Sequence, residues 1–231
     1  MNHTDVQVVR LTVAGREEYL RICGSGDDVA ILLVPPLFGE NNRCRRLLAD
    51  IMAALAALGH GSALPDLPGT AESLTPLARV TLDDWRAMIG DSAALLHAAT
   101  GRPPIVASLR GGAVLDDAAA AAGRWRMTPV DGTGVLRDLA RAQRMTAPAG
   151  TPPTGAVFAG TPLDPALARP LGTAVPAGPA YVARLADDPK AADSRIAGTA
   201  LWRRAEPARD RAMATAIAQD IHRMATTCAI S

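Results

Sequence analysis

The sequence predicts an α/β domain with a mostly parallel sheet, helices on both faces and an antiparallel edge at the N-terminus. Three observations predict it. Two strand-like segments, VQVVRLTV and EYLRIC, flank the turn residues AGRE, which is typical of a β-hairpin. Continuous apolar runs such as DVAILLVPPL end at proline, as buried parallel strands do. Between these runs, apolar residues recur at helical spacing, so strands and helices alternate.

The first half of the chain is predicted to contain strands and helices in the order β-β-β-α-β-α-β-α. After the hairpin and the strand DVAILLV come the helix NRCRRLLADIMAALAALGHG and the short strand in SALPDLPGTAES. The next helix begins at Thr81, with Asp84 three residues later to complete a capping box. The strand PPIVASL and the helix GGAVLDDAAAAAG follow.

The second half is predicted from shorter segments. Strands are expected in RWRMTPVDG, AYVARLADD and TALWRRAEP, and a Pro/Gly loop leads into a strand in TPPTGAVFAGTPL. Helices are expected in GVLRDLARAQRMT, PALARPLGTAV and RDRAMATAIAQDIHRMATTCA.

Composition excludes several classes of protein. The 231 residues are 48% hydrophobic and 20% charged, which suits one globular domain over residues 1–231. The net charge of +1 argues against a nucleic-acid partner. Cys23, Cys44 and Cys228 have no metal-binding spacing, and no phosphate-binding or dinucleotide motif is found, so neither a metal nor a cofactor is expected. No secretory or membrane-spanning segment is recognised, and we expect a cytoplasmic protein.

The order of these elements resembles the α/β-hydrolase fold. LPDLPGTAES is similar to the D-x-x-G-x-G-x-S loop of that superfamily, with Ala71 in place of the second glycine. More narrowly, the chain resembles the second of two hydrolase-like families found beside bacterial exosortase A and exopolysaccharide genes. The segments that carry this likeness are VPPLFGENNRCRRLLA, SLRGGAVL, AGTPLDPALARPL and LWRRAEP. The resemblance implies a domain with a minimal cap or none, in an exopolysaccharide or protein-sorting context.

The segment IVASLRGGAV matches the turn that carries the nucleophile in such hydrolases. Residues two before and two after the nucleophile must be small, because the backbones approach closely there. With Ser108 as the nucleophile, these sites hold Val106 and Arg110, which are too bulky. With Arg110 in that place, they hold Ser108 and Gly112, which fit. Since a guanidinium remains protonated, it is no nucleophile, and Ser108 is expected to be the small residue that ends a buried strand.

The rest of a catalytic triad is also missing from the sequence. The fold implies a histidine before the last helix, but WRRAEPARD contains none. His3, His60, His97 and His222 are expected to be exposed or capping residues. Without a base, the Ser108 hydroxyl stays a poor nucleophile at neutral pH.

Polar residues nevertheless follow several strands, where ligands bind in open α/β sheets. The candidate ligand or structural site comprises Phe38, Glu40, Asn42, Arg45, Asp66, Arg110, Trp202 and Glu206. A buried arginine needs a counter-charge, so Arg110 is expected to pair with Glu40 or Glu206. The alternative is that Arg110 binds a carboxylate or phosphate of a ligand.

Three functions are therefore compared. The first is a degenerate member of the fold that binds a ligand or acts as an accessory protein. The second is an active ester or acyl hydrolase, which uses Ser108 or a non-serine arrangement of Glu40, Asp66 or Glu206. The third is a plain interaction protein, which would show an exposed apolar patch and no enclosed pocket. The partners left open are a small anionic ligand, an acyl or sugar ligand, and a second copy of the chain in a homodimer.

Overall fold

A computed structural model describes residues 6–24, 30–146, 157–158, 161–204 and 206–229. The strands are β1 (Val6–Val13), β2 (Arg16–Cys23), β3 (Ile31–Val34), β4 (Ser62–Pro65), β5 (Ile105–Leu109), β6 (Gly123–Met127), β7 (Val157–Phe158), β8 (Thr161–Pro162), β9 (Tyr181–Leu185) and β10 (Ser194–Ile196). The α-helices are α1 (Gly39–Ala57), α2 (Leu82–Thr100), α3 (Gly132–Thr146), α4 (Pro165–Thr173) and α5 (Arg211–Ala229).

Eight strands form one sheet in the order β1-β2-β4-β3-β5-β6-β9-β10. From β4 to β10 every neighbouring pair is parallel, while β1 and β2 are antiparallel at one edge. This confirms the predicted fold class. The strands β7 and β8 form a separate antiparallel pair.

The alternation of side chains along each buried strand builds a core on both faces of the sheet. Ile31 and Leu33 of β3 pack with α1 and α5, whereas Leu32 and Val34 pack on the other face with α2 and α4. In β5, Leu109 belongs to the first face. Every strand residue of β3 and β5 is buried, which explains why both appear in the sequence as continuous apolar runs.

The helix starts follow from local chemistry. Thr81 caps α2 by accepting from the Asp84 backbone N–H at 3.1 Å, and Asp84 accepts in return from the Thr81 backbone N–H at 2.8 Å. The predicted capping box is therefore confirmed. Within the described part of the chain, no helix combines the length and the apolarity needed to cross a membrane.

Two predicted elements are wrong. GGAVLDDAAAAAG forms no α-helix but two 3₁₀ turns, Arg110–Val114 and Asp116–Ala118. Two adjacent glycines weaken the start of a helix, and the Asp116 carboxylate draws the chain back onto the sheet by accepting hydrogen bonds from Arg126 at 2.8 Å.

TALWRRAEP was expected to be a strand, but Leu201–Arg203 is a 3₁₀ turn, and the last strand of the sheet is β10, earlier in the chain. It pairs in parallel with β9, and residues 186–193 between them contain no helix. Because this connection is short and polar, no sequence pattern predicts β10, the strand that follows it.

Candidate functional site

The candidate site begins at the turn that follows β5. Arg110 is the first residue after the strand and has a φ angle of +55°, in the left-handed region that non-glycine residues rarely adopt. A Cβ atom on Gly112 would lie 2.4 Å from the carbonyl oxygen of Pro35, so only glycine fits there. The close backbone approach that the sequence pattern implied is therefore present two residues after Arg110.

Ser108 lies below this turn, inside the sheet. It is fully buried, and its hydroxyl donates to Asp116 Oδ2 at 2.8 Å. Asp116 is itself fully buried and accepts two further hydrogen bonds, from Nε and Nη2 of Arg126, each at 2.8 Å. The hydroxyl is thus one member of a buried ion-pair cluster and does not face the end of the strand.

Arg110 forms a bidentate ion pair with Glu40, in the first turn of α1. Its Nε lies 3.2 Å from Oε2 and its Nη2 lies 3.1 Å from Oε1 of the carboxylate. Nη1 donates to the carbonyl oxygen of Thr128 at 3.2 Å, and Asp138 Oδ2 lies 3.6 Å from Nη2. Of the two carboxylates considered as partners, the structure therefore brings Glu40 to Arg110.

Trp202 covers another side of the guanidinium. The Arg110 Cζ atom lies 5.1 Å from the centre of the indole ring, within the range of a cation–π contact. We call the space around the Arg110 guanidinium, between Glu40, Thr128 and Trp202, the crevice. The Trp202 carbonyl oxygen accepts a hydrogen bond from Arg43 Nη1 of α1 at 3.3 Å, which holds Trp202 over it. The Arg110 side chain is left only 6% exposed, so the crevice is filled by protein groups.

Burial dominates the electrostatics of this crevice. Burial raises the pKa of Glu40 above its ordinary value, and the adjacent Arg110 charge opposes the rise. Burial also raises the pKa of the Cys44 thiol, one turn further along α1, to about 12. Cys44 therefore stays a thiol near neutral pH and supplies no nucleophilic thiolate.

Backbone strain and unpartnered polar atoms gather at the same place. Phe38 has φ +53° and Thr128 has φ +46°, and both follow strands that flank β5. Two buried atoms beside Arg110 make no hydrogen bond, namely Thr128 Oγ1 and Trp202 Nε1. Strained backbone at the carboxyl ends of parallel strands is common at ligand sites, so this edge of the sheet remains the candidate site.

Other predicted site residues lie elsewhere. Asn42 and Arg45 are exposed on α1. Arg45 pairs with Glu72 at 2.6 Å, and Asp66 accepts a hydrogen bond from Arg21. A cavity of about 420 Å³ beside the hairpin contains these two pairs. Burial raises the pKa of Asp66, against the charge of Arg21.

Glu206 is exposed, and no ion pair joins it to Arg110 among the described residues. Phe38 is 4% exposed and packs against Trp85 and Phe158, with ring centres 5.3 and 5.4 Å apart. Phe38 is therefore a core residue on the α2 side of the sheet, and Glu206 is a surface residue.

The histidines are remote from the turn. His60 precedes β4, at the amino-terminal end of that strand, and its Nε2 lies 2.8 Å from His222 Nδ1 of α5. His97 is in the last turn of α2, and His3 lies outside the described residues. No described histidine hydrogen-bonds to Ser108. In the described ranges, no three or more His, Cys, Asp or Glu side chains are arranged to hold a metal ion.

The sequence analysis missed Thr128 and Asp138. Thr128 is the first polar residue after the apolar end of β6, the same pattern that singled out Asp66. Asp138 lies on α3 and its side chain is 45% exposed, so no local pattern distinguishes it from other surface carboxylates. Only the signal for Thr128 was present in the sequence.

No protein-family model matches the sequence, and no curated protein matches it. Solved structures do resemble it. A thermophilic esterase from Thermogutta terrifontis matches 77% of this chain and 79% of its own, with 19% identity and a TM-score of 0.50. XC6422 from Xanthomonas campestris, described as an α/β serine hydrolase without lid, matches 55% of this chain with 14% identity and a TM-score of 0.46.

An epoxide hydrolase from Vigna radiata matches 55% of this chain with 17% identity and a TM-score of 0.40. The chain spans 41% of that enzyme and 62% of XC6422. The esterase likeness extends over most of both chains, and at this identity it shows the fold alone. Together with the observed strand order, it establishes that this chain has the α/β-hydrolase fold.

Proposed function

We propose that this chain is a hydrolase-fold protein without serine-hydrolase chemistry, acting as a ligand-binding or accessory protein. One observation carries the proposal: the strained turn after β5 presents Arg110, paired with Glu40, where this fold carries its nucleophile. A guanidinium has no lone pair available for attack, because it stays protonated throughout the physiological pH range.

The surroundings of Ser108 support the same conclusion. A serine nucleophile needs a base to accept its proton and needs access to the substrate carbonyl. The Ser108 hydroxyl donates to Asp116, whose carboxylate oxygens also accept two hydrogen bonds from Arg126. It is also fully buried. A substrate would have to break a buried ion-pair cluster to reach it, which costs several kcal/mol.

Under this proposal, the Arg110–Glu40 pair is a fixed structural element that joins the turn after β5 to α1 and shapes the crevice. Because protein groups fill this crevice, a ligand would bind on the outer side of the pair, and the ligand classes proposed for it are small anionic, acyl and sugar molecules. The resemblance of the sequence to proteins encoded beside exosortase and exopolysaccharide genes supports an accessory role in that context. Self-association as a homodimer belongs to the same proposal.

A residual ester or acyl hydrolase is the second candidate, and one observation favours it. Burial raises the pKa of Glu40, and a carboxyl group with a raised pKa at the candidate site could act as a general acid or base. This mechanism needs no serine. Glu40 would have to exchange Arg110 for the substrate.

Labelling with a fluorophosphonate probe, together with hydrolysis of p-nitrophenyl acetate, tests both candidates. Wild type, Ser108→Ala, Arg110→Ala and Glu40→Gln are compared, with an authentic serine esterase as reagent control. We expect no labelling and no hydrolysis above the buffer rate. Labelling that disappears only in Ser108→Ala would contradict the proposal. Hydrolysis that Glu40→Gln abolishes, with its circular dichroism spectrum unchanged, would establish the second candidate instead.

A further inference from the structure

A second groove lies over the start of β2, outside the Arg110 crevice. It has a volume of about 350 Å³ and is lined by Arg16, Glu17, Leu74, Thr75, Pro76 and Arg79. Its wall after β4 is strongly apolar at one point, because Leu74 is 82% exposed. With Pro76, Leu74 gives the groove an apolar side beside its polar lining, a combination that small-molecule sites share.

A buried carboxylate lies directly behind this groove. Glu18 of β2 is fully buried, and its Oε1 accepts a hydrogen bond of 2.6 Å from the hydroxyl of Thr75. Its Oε2 has no hydrogen-bond partner, and no cationic side chain pairs with Glu18 among the described residues. A buried carboxylate left in this state is costly, so its position needs a reason beyond packing.

Glu18 fixes the direction in which the Thr75 hydroxyl donates its proton. Because the Thr75 hydroxyl donates its one proton to Glu18, its lone pairs remain available to accept hydrogen bonds from the groove side. Arg79, four residues after Thr75 in the same loop, is exposed, and in the described part of the chain it forms no ion pair. The groove thus presents an oriented acceptor, Thr75, and a free donor, Arg79.

The charges of the groove balance. Glu17 pairs with Arg10 at 3.7 Å, and Arg16 lies 3.4 Å from the Asp84 carboxylate. Glu18 and Arg79 then remain, one negative and one positive. An anion would meet the Glu18 charge and an ammonium group would meet Arg79, so a neutral ligand with both hydroxyl donors and acceptors fits best.

We propose that this groove binds a neutral polyhydroxylated ligand, of which a pyranose ring is the simplest example. One hydroxyl donates to Thr75, a neighbouring hydroxyl accepts from Arg79, and the C–H face of the ring packs on Leu74 and Pro76. Glu18 is a positioning residue that acts through Thr75. This inference does not depend on the chemistry at Arg110, and the two fail separately.

The test is a two-dimensional amide NMR titration of the full chain with methyl α-glucopyranoside, methyl α-galactopyranoside and methyl α-mannopyranoside. We expect at least one glycoside to cause saturable shifts in residues 16–18 and 74–79, with a dissociation constant in the millimolar range. Arg79→Gln and Leu74→Ala, both exposed and safe for folding, should each weaken binding roughly fivefold. Thr75→Val should weaken it at least as much.

Arg45→Gln alters the other cavity and is the matched control, so it should bind like wild type. Saturable binding that these groove variants weaken supports the proposal. The absence of saturable shifts with all three glycosides overturns it, and so does binding by Arg79→Gln and Leu74→Ala with the same affinity as wild type. Tighter binding of acetate, phosphate or N-acetylglycinamide at the same residues would assign the groove to an anion or a peptide and also overturn it.

Discussion

Removing the carboxylate of Glu40 tests the central feature of the crevice. The Arg110 guanidinium is 6% exposed in the wild type, and in Glu40→Ala it keeps the Thr128 carbonyl oxygen at 3.2 Å, Asp138 at 3.6 Å and the Trp202 ring at 5.1 Å. Breaking a buried ion pair by deleting one partner costs about 3–5 kcal/mol. Since the Glu40 side chain is 17% exposed and Asp138 remains, we expect the lower end, about 3 kcal/mol.

Urea unfolding, followed by tryptophan fluorescence and far-ultraviolet circular dichroism, measures this change. A double-mutant cycle with Arg110→Met separates the pair from the loss of packing. When Glu40→Ala and Arg110→Met are combined, the charge left unpaired in each single variant is gone. The double variant should therefore be more stable than the sum of the single losses predicts, by about 2 kcal/mol.

Glu72→Ala is the matched control, because it removes the carboxylate of an exposed arginine pair. The Arg45 and Glu72 side chains are 42% and 63% exposed, so solvent already screens their charges. We expect the free energy of unfolding of this variant to stay close to that of wild type. If Glu40→Ala costs no more than Glu72→Ala, or if the cycle shows no coupling, the account of the crevice is refuted.

Three further predictions concern other parts of the molecule. Burial raises the pKa of Asp117, but the hydrogen bonds and the charge of Arg86 outweigh burial and lower the pKa overall. The resulting stabilisation is present above about pH 4 and is lost as the pH falls through the pKa of Asp117 in the folded state. Urea unfolding should thus show Asp117→Asn less stable than wild type at pH 7, with the difference vanishing at low pH; a constant difference would contradict this. Cys44, whose pKa is raised to about 12, should resist iodoacetamide at pH 8 until urea unfolds the protein, as peptide mass spectrometry would show. Gly112→Ala would place a Cβ 2.4 Å from the Pro35 carbonyl oxygen and should cost about 3 kcal/mol or more, so an unchanged thermal midpoint would rule out the tight turn.

The elements with strong local patterns could be predicted from the sequence. The hairpin, the buried strands β3 to β6 and the capped helix α2 all have periodicity or capping residues that act within a few positions. Their order then limits the possible topologies to a few. Arg110, the left-handed residue after β5, could be located as well. The close backbone approach at the turn requires small residues two positions before and two positions after it, and Ser108 and Gly112 meet that requirement.

The errors arose where tertiary contacts outweigh local pattern. An alanine-rich segment after Gly112 has high helix propensity, yet the buried Asp116–Arg126 pair holds it in 3₁₀ turns against the sheet. The choice of Glu40 over Glu206 was equally hidden from the sequence. Glu40 lies in the first turn of α1, shortly after β3, so the end of that strand determines where its carboxylate lies. The direction of the loop that contains Glu206 depends instead on packing across the whole sheet.

The left-handed conformation of Arg110 bears on how this turn is interpreted in other proteins of the same fold. A strained residue at this turn is usually read as the mark of a nucleophile. Here the angle is maintained with an arginine, because the glycine two residues later must pass close to the loop after β3. The geometry therefore belongs to the architecture and persists whatever side chain it presents. A positive φ at this position in a structure of the same fold therefore reports the close packing of the turn, and only the identity of the residue bears on reactivity.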